Sequence, residues 1–171
     1  MKNFCLLAIA AALLTACANP SITNLQTARL RQVRSTPIYV ARFDGNPGFV
    51  DEATDMFIAE LQKNARREII QGDSIRQETS DIAGGGNIAP KAEGIAKAKA
   101  AGADLLILGK VTSHKTEGAL NGFVTVRIVE TRSGRIIGTV HRPSGLLIAY
   151  SEHQCVLAAA KRVAAAVNRA L

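Results

Sequence analysis

The chain has 171 residues, of which 21 are Lys or Arg and 14 are Asp or Glu, so its formal net charge at pH 7 is +7. That length allows one domain with a single buried core. Aromatic residues make up only 4% and tryptophan is absent, so the positive charge comes without the stacking platforms and motifs of a nucleic-acid-binding protein.

The N-terminal segment, residues 1–16, has the layout of a secretory signal peptide. A positive start at Lys2 precedes the apolar stretch FCLLAIAAALL, which is shorter than the ~20 residues that span a bilayer. The next residues, LTAC at 14–17, resemble the lipobox of bacterial lipoproteins, a family in which cleavage precedes the cysteine and acyl chains are added to it. The resemblance implies lipidation of Cys17. The alternative is an ordinary signal peptide that is cut elsewhere, with Cys17 as a plain thiol.

The residues after the cysteine predict where the protein lies. Lipoproteins with no Asp at the second position are sorted to the outer membrane, and here Ala18 and Asn19 follow Cys17. The resemblance therefore implies an anchor in the outer membrane and a domain that faces the periplasm. We expect 17–36 to be the lipidated cysteine and a flexible tether with a typical reach of about 25 Å. Three arginines of this tether contact either anionic lipid and glycan or only solvent: Arg29, Arg31 and Arg34.

Residues 37–171 predict one α/β domain, beginning with a strand and a helix. Aromatic and β-branched residues at 37–43 predict the strand, and turn residues at 44–48 follow it. Apolar residues then recur at helical spacing, which predicts a buried stripe. The stripe consists of Phe49, Ala53, Met56, Phe57 and Leu61. A short strand at 67–72 and a polar, Gly-rich loop at 73–90 come next.

The second half predicts a helix, three strands and a final helix. The helix at 90–102 offers Ala92, Ile95, Ala96 and Ala100 for burial. The apolar run at 103–111 is typical of a central strand covered on both faces. An antiparallel hairpin follows, with strands at 122–131 and 135–145 around a turn at Gly134. The last helix, from Tyr150, has an apolar stripe and a wet face. The stripe is Val156, Ala160, Val163 and Val167, and the wet face is Lys161, Arg162, Asn168 and Arg169.

This order of elements predicts an α/β (α+β) fold, a two- or three-layer sandwich. A mixed sheet with an antiparallel meander would be covered by helices. After removal of the signal peptide and acylation of Cys17, Cys155 is the single free thiol, so no disulfide within the chain is expected. We expect Cys155 to be buried as a small apolar residue.

No motif in the sequence requires catalysis, a cofactor or a metal. Gly109-Lys110 does not open a phosphate-binding loop, because the pair lies in a strand and Val111 stands where Ser or Thr would hold magnesium. His114 and His141 could approach each other across the meander, with Glu152 or His153 as a third ligand, but nothing in the spacing demands it. We therefore expect no enzyme, no catalytic residues, no cofactor and no metal, with a metal-dependent envelope enzyme as the minority alternative.

Three segments together resemble the CsgG-like and TolB-N-terminal-like group of bacterial envelope lipoproteins. They are IYVARF at 38–43, AKAAGADLLILGKVT at 98–112 and FVTVRIVETRSGRIIGTV at 123–140. The resemblance covers 37–171 and is closer to short members such as LpoB and PelC than to CsgG itself. Its motifs are structural: Gly102 ends a helix, and Thr131, Ser133 and Gly134 form the hairpin turn. Glu130 departs from the Asp usual before that turn.

The resemblance implies a non-enzymatic accessory or assembly module of an envelope secretion or export system for curli-like fibres or polysaccharide. Its partners would be the membrane, through acyl chains on Cys17, envelope proteins, and further copies in a homo-oligomeric ring. The alternative is a regulatory lipoprotein that activates a peptidoglycan synthase. A synthase activator needs a long linker to cross the periplasm, so the short tether favours the assembly module.

Overall fold

The computed structural model describes residues 21–23, 37–64, 67–75, 92–116, 119–143 and 151–171. Ten elements occur in these ranges. The strands are β1 (Ser21–Thr23), β2 (Ile38–Arg42), β3 (Asp44–Gly45), β4 (Ile69–Ser74), β5 (Leu105–Thr116), β6 (Ala119–Glu130) and β7 (Arg135–Pro143), and the helices are α1 (Val50–Asn64), α2 (Ala92–Ala100) and α3 (Glu152–Ala170).

The strands form one mixed sheet in the order β1-β7-β6-β5-β2-β4, and β3 adds to β5. Strands β5, β6 and β7 are an antiparallel meander, and β2 runs parallel to both β4 and β5. Helices α1 and α3 share one apolar cluster with the first face of the sheet, whereas α2 packs on the second face. The predicted sandwich is confirmed, and the described helices place it in three layers. None of the helices in these ranges combines the length and apolarity needed to cross a membrane.

The first face carries the larger apolar core. Phe57 of α1 packs against Phe43 at a centroid distance of 5.1 Å, with 57° between the ring planes. The predicted stripe packs on the same face, with Phe49 and Met56 partly exposed. All four predicted stripe residues of α3 are buried in the same cluster. The apolar run of β5 is fully buried, as expected for a strand covered on both faces. The helical and strand periodicities therefore predict this core correctly.

The turn that joins β6 to β7 is tied to the start of β5. Gly102 and Gly134 have φ of 73° and 67°, the left-handed conformation that glycine adopts without steric cost. Thr131 is only 1% exposed; its Oγ1 donates to Ala103 O at 2.9 Å, and its N–H donates to Asp104 O at 2.9 Å. The predicted roles of these turn residues are thus confirmed, and Thr131 also joins the hairpin to β5.

Helix α2 turns a different face to the sheet than its sequence predicts. Gly94 and Ala98 are buried, Ile95 is half-buried, and the expected Ala92, Ala96 and Ala100 are exposed. A Cβ on Gly94 would lie 2.6 Å from Ile75 Cδ1, so the helix approaches the sheet through its smallest residue. Sequence periodicity misses this face because glycine does not count as apolar. On the exposed side of the helix, Lys97 Nζ lies 3.0 Å from Glu93 Oε1, one turn away.

Strand β1 lies inside the segment expected to be a tether. It pairs antiparallel with β7, with Ser21 opposite His141 and Thr23 opposite Thr139. The loop predicted at 73–90 begins later than expected, because β4 continues to Ser74. Residues 76–91, which would make up the rest of that loop, lie outside the described residues.

Candidate functional site

The predicted anchor and its neighbouring arginines lie outside the described residues. These are Cys17, Arg29, Arg31 and Arg34. The predicted free thiol, Cys155, does lie among the described residues. It is 0% exposed in α3 and forms no disulfide. The expectation that Cys155 is a buried small residue is confirmed, and its burial separates the thiol from solvent.

The sheet separates His153, which lies on the first face, from His141, which lies on the second. His153 in α3 contacts Glu52 of α1, with Nε2 and Oε2 2.7 Å apart, and its ring centroid lies 6.1 Å from that of Phe49. His141 in β7 bonds to Thr125 Oγ1 through Nδ1 at 2.7 Å, and this pair is in register on the second face. For His114 the structure gives the strand pairing, with Asn121 of β6. No group of three His, Cys, Asp or Glu side chains suitable for a metal occurs among the described residues.

Gly109 serves packing rather than phosphate binding. A Cβ at this position would lie 2.2 Å from the ring of Phe43, so glycine is the residue that lets this ring lie against β5. Lys110 pairs with Asp44 of β3 and Thr125 of β6 in the sheet register. The pair Gly109-Lys110 therefore lies within β5, as predicted.

The second face of the sheet carries two polar rows beyond α2. One row across β5, β6 and β7 is Lys110, Thr125 and His141, and the other is Arg127 and Thr139, beside the apolar Leu108 of β5. The His141 ring stacks on Phe123 at 5.7 Å with 12° between the planes, and burial lowers the pKa of His141. Arg127 is only 5% exposed, and burial likewise lowers the pKa of its guanidinium. Such a face is uncommon for a structural core, because burying charge costs free energy.

A shallow cleft lies at the turn end of the sheet. It has a volume of about 250 Å³ and is lined by Lys99, Gly102, Ala103, Asp104, Thr131 and Arg132. Thr131 and Ala103 are occupied with the hydrogen bond that fixes the turn. The cleft therefore follows from the turn geometry and holds no paired acid and base.

An arginine cluster, defined as Arg142, Arg162 and Arg169, lies where α3 crosses β7. Arg142 pairs with Val124 in register, which places it on the first face, beneath α3. Burial lowers the pKa of Arg142, and the charges of Arg169 and Arg162 lower it further. Arg162 and Arg169 are exposed and seven residues apart on α3, so they share one side of the helix. The cluster concentrates positive charge at one corner of the domain.

The sequence predicts part of this cluster. Arg162 and Arg169 are exposed, as expected for the wet face of α3. Asn168 was expected on the same face but is half-buried and donates from Nδ2 to Glu60 O of α1 at 3.0 Å. The sequence analysis did not predict that Arg142 lies on the first face. The alternation along β7 indicates it, because residues two apart on a strand share a face and Val140 is buried.

Comparison with known proteins identifies the fold. The sequence matches no protein-family model and no curated protein. Among solved structures, the PelC dodecamer from Paraburkholderia phytofirmans has a TM-score of 0.57 at 10% identity, covering 85% of this chain and 96% of that one.

Two further structures match with TM-scores below 0.5. TolB from Acinetobacter baumannii has 0.46 at 12% identity, covering 89% of this chain and 30% of that one. The LpoB C-terminal domain from Salmonella enterica has 0.45 at 13% identity, covering 68% and 90%. At these sequence identities the comparisons establish only the fold, and the described domain has the fold seen in PelC.

Proposed function

We propose that this protein is an envelope lipoprotein, fastened to the outer membrane through acyl chains on Cys17 and facing the periplasm. It acts as a non-enzymatic accessory or assembly module of a secretion or export system. The observation that carries the proposal is the pairing of β1 with β7, only four residues after Cys17. Four residues span at most about 14 Å even when fully extended. An acylated Cys17 would hold the domain against its membrane.

The short separation between Cys17 and β1 helps to distinguish an assembly module from an activator of a peptidoglycan synthase. A protein that activates a synthase across the periplasm needs a long linker between anchor and domain. In this chain Cys17 is followed by only residues 18–20 before β1 begins. The short separation supports work close to the anchoring membrane.

The chemistry of the described side chains supports a role in binding. His153 is engaged with Glu52, His141 with Thr125, and the Cys155 thiol is buried. These contacts join elements of the fold to one another, and none places a nucleophile beside a general base in an open cleft. We propose that the protein acts through its surfaces.

Self-assembly into a ring is part of the proposal. The PelC structure that shares this fold is a dodecamer, and by that analogy this chain would form a homo-oligomer that supports export of a fibre or polysaccharide.

Size analysis of residues 18–171, together with cross-linking in the envelope and pull-down, tests the assembly role. This form keeps every described residue. We expect a defined oligomer, a specific cross-linked envelope protein, or both. A monomer that cross-links to no partner would contradict the proposal.

A further inference from the structure

The position of β1 limits how far the predicted anchor lies from the arginine cluster. Ser21 is paired with His141, so their Cα atoms are about 5 Å apart, and Arg142 is the next residue. Cys17 lies four residues before Ser21. The Cα atoms of Cys17 and Arg142 are therefore within about 25 Å of each other for any arrangement of residues 18–20.

Among the described residues, the exposed charges of Arg162 and Arg169 are not balanced by neighbouring acids in the way that those of Lys63 and Lys97 are. Lys63 pairs with Glu60, whose carboxylate also feels the charge of Lys161, and Lys97 pairs with Glu93. The described ion pairs include neither Arg162 nor Arg169. Both arginines are exposed, and their positive charges lower the pKa of Arg142. The corner is thus a concentrated positive surface.

We propose that the arginine cluster docks the domain onto the anionic phospholipid headgroups of the membrane that holds its anchor. This inference rests on the proposed acylation of Cys17. The cluster lies within one short segment of the acylated residue, so an anchored domain always has anionic lipid within reach. The arginine guanidinium is suited to this ligand, because its planar set of donors matches the oxygens of a phosphate group.

Vesicle binding of residues 18–171 tests the docking without help from the acyl chains. Co-sedimentation is measured with phosphatidylcholine vesicles, with and without phosphatidylglycerol, at low and high salt. We expect binding that needs phosphatidylglycerol and weakens with salt, since salt screens exposed charges. The R162Q/R169Q variant should bind about thirtyfold more weakly, because each arginine near an anionic surface contributes about fivefold.

The matched control is R132Q/R135Q, which removes the same charge from the opposite end of β7. Arg132 and Arg135 are exposed at the β6–β7 turn, so this variant should bind within about threefold of the wild type. Both variants change only exposed arginines, and circular dichroism verifies that they fold. Arg142 is left intact because burial makes its replacement a risk to folding.

Three outcomes would overturn the docking. One is wild-type binding that does not depend on phosphatidylglycerol, and another is an equal loss in the two variants, which would mean that only net charge matters. The third is unchanged vesicle binding by R162Q/R169Q together with loss of a cross-linked envelope protein, which would make the cluster a protein interface. If Cys17 is acylated and any of these results is obtained, the docking proposal is wrong but the proposed function is not affected. If Cys17 is unmodified, the proposed function is wrong regardless of the vesicle binding.

Discussion

The two faces of the sheet have different compositions and bury different residues. On the first face, α1 and α3 cover a continuous apolar core that extends from β2 to β7. On the second face, α2 covers a smaller cluster around Tyr39, Leu106 and Val129. Beyond α2 the polar rows follow, and they include the nearly buried Arg127.

The difference indicates that the first face mainly stabilises the fold, whereas the polar part of the second face is available for binding. Burial of apolar surface is the main stabilising contribution to a fold, and most of it lies on the first face. Burying polar groups costs free energy that their hydrogen bonds only offset, so the polar rows contribute less to stability than the apolar core does. Substitutions on the two faces should therefore have unequal effects.

The largest effect is expected for Phe57→Ala in the first-face core. Its ring is fully buried against Phe43, and truncation of such a side chain leaves a cavity that costs about 3–5 kcal/mol. The half-buried Phe123 on the second face is the control, and Phe123→Ala should cost less than half as much. Urea unfolding measures both, and equal losses would contradict the contrast between the faces.

Gly122→Ala tests how closely α3 approaches the first face. An added Cβ would lie 2.6 Å from Val156 N and 2.8 Å from Cys155 C. These are backbone atoms, so the helix itself must move, at a cost of about 1–3 kcal/mol. Gly48→Ala is the control, since its Cβ would meet only Asn46 Oδ1 at 3.6 Å. A thermal unfolding midpoint that is the same in the two variants would show that α3 does not pack as described.

Thr131→Val should cost about 1–2 kcal/mol. The substitution keeps the shape but removes the hydroxyl that donates to Ala103 O, which leaves a buried carbonyl without that partner. Ser133→Ala in the same turn is exposed and should change stability by less than about 0.5 kcal/mol. Chemical denaturation measures the free energy of unfolding of both variants. A Thr131 variant as stable as the wild type would show that the hydrogen bond to Ala103 O does not stabilise the fold.

The smallest effect is a pH dependence that comes from His141 on the second face. Burial lowers its pKa from 6.5 in the folded state, so the unfolded chain binds more protons just below that pH. The contribution of His141 to stability is therefore present above pH 6.5 and is lost as pH falls through its folded pKa. His141→Gln should reduce the loss of stability on acidification, and His153→Gln should retain the part due to His141. Unfolding midpoints between pH 7 and pH 5 test this, and an unchanged pH slope in His141→Gln would contradict it.

Local patterns predict the first face better than the second. The stripes of α1 and α3 follow the helical period, and the buried run of β5 is apolar throughout, so the sequence specifies both the elements and their buried sides. The face of α2 was predicted wrongly, because close packing through Gly94 depends on Ile75, which comes from a distant part of the chain.

The pairing of β1 with β7 could not be predicted from local pattern either. Residues 21–23 are too few to show a strand period, although Ile22 and Thr23 are β-branched. Their extended conformation accompanies pairing with the edge of β7. For the same reason the position of Arg142 beside Arg162 and Arg169 depends on tertiary packing. Its side of the strand is predictable from alternation, but its neighbours on α3 are not.

The mass of the N-terminal peptide of the protein isolated from cells tests the central claim most directly. We expect a chain that begins at Cys17, carries acyl chains on that residue and is recovered from the membrane fraction. An unmodified Cys17 in a chain recovered from the cell interior would contradict it.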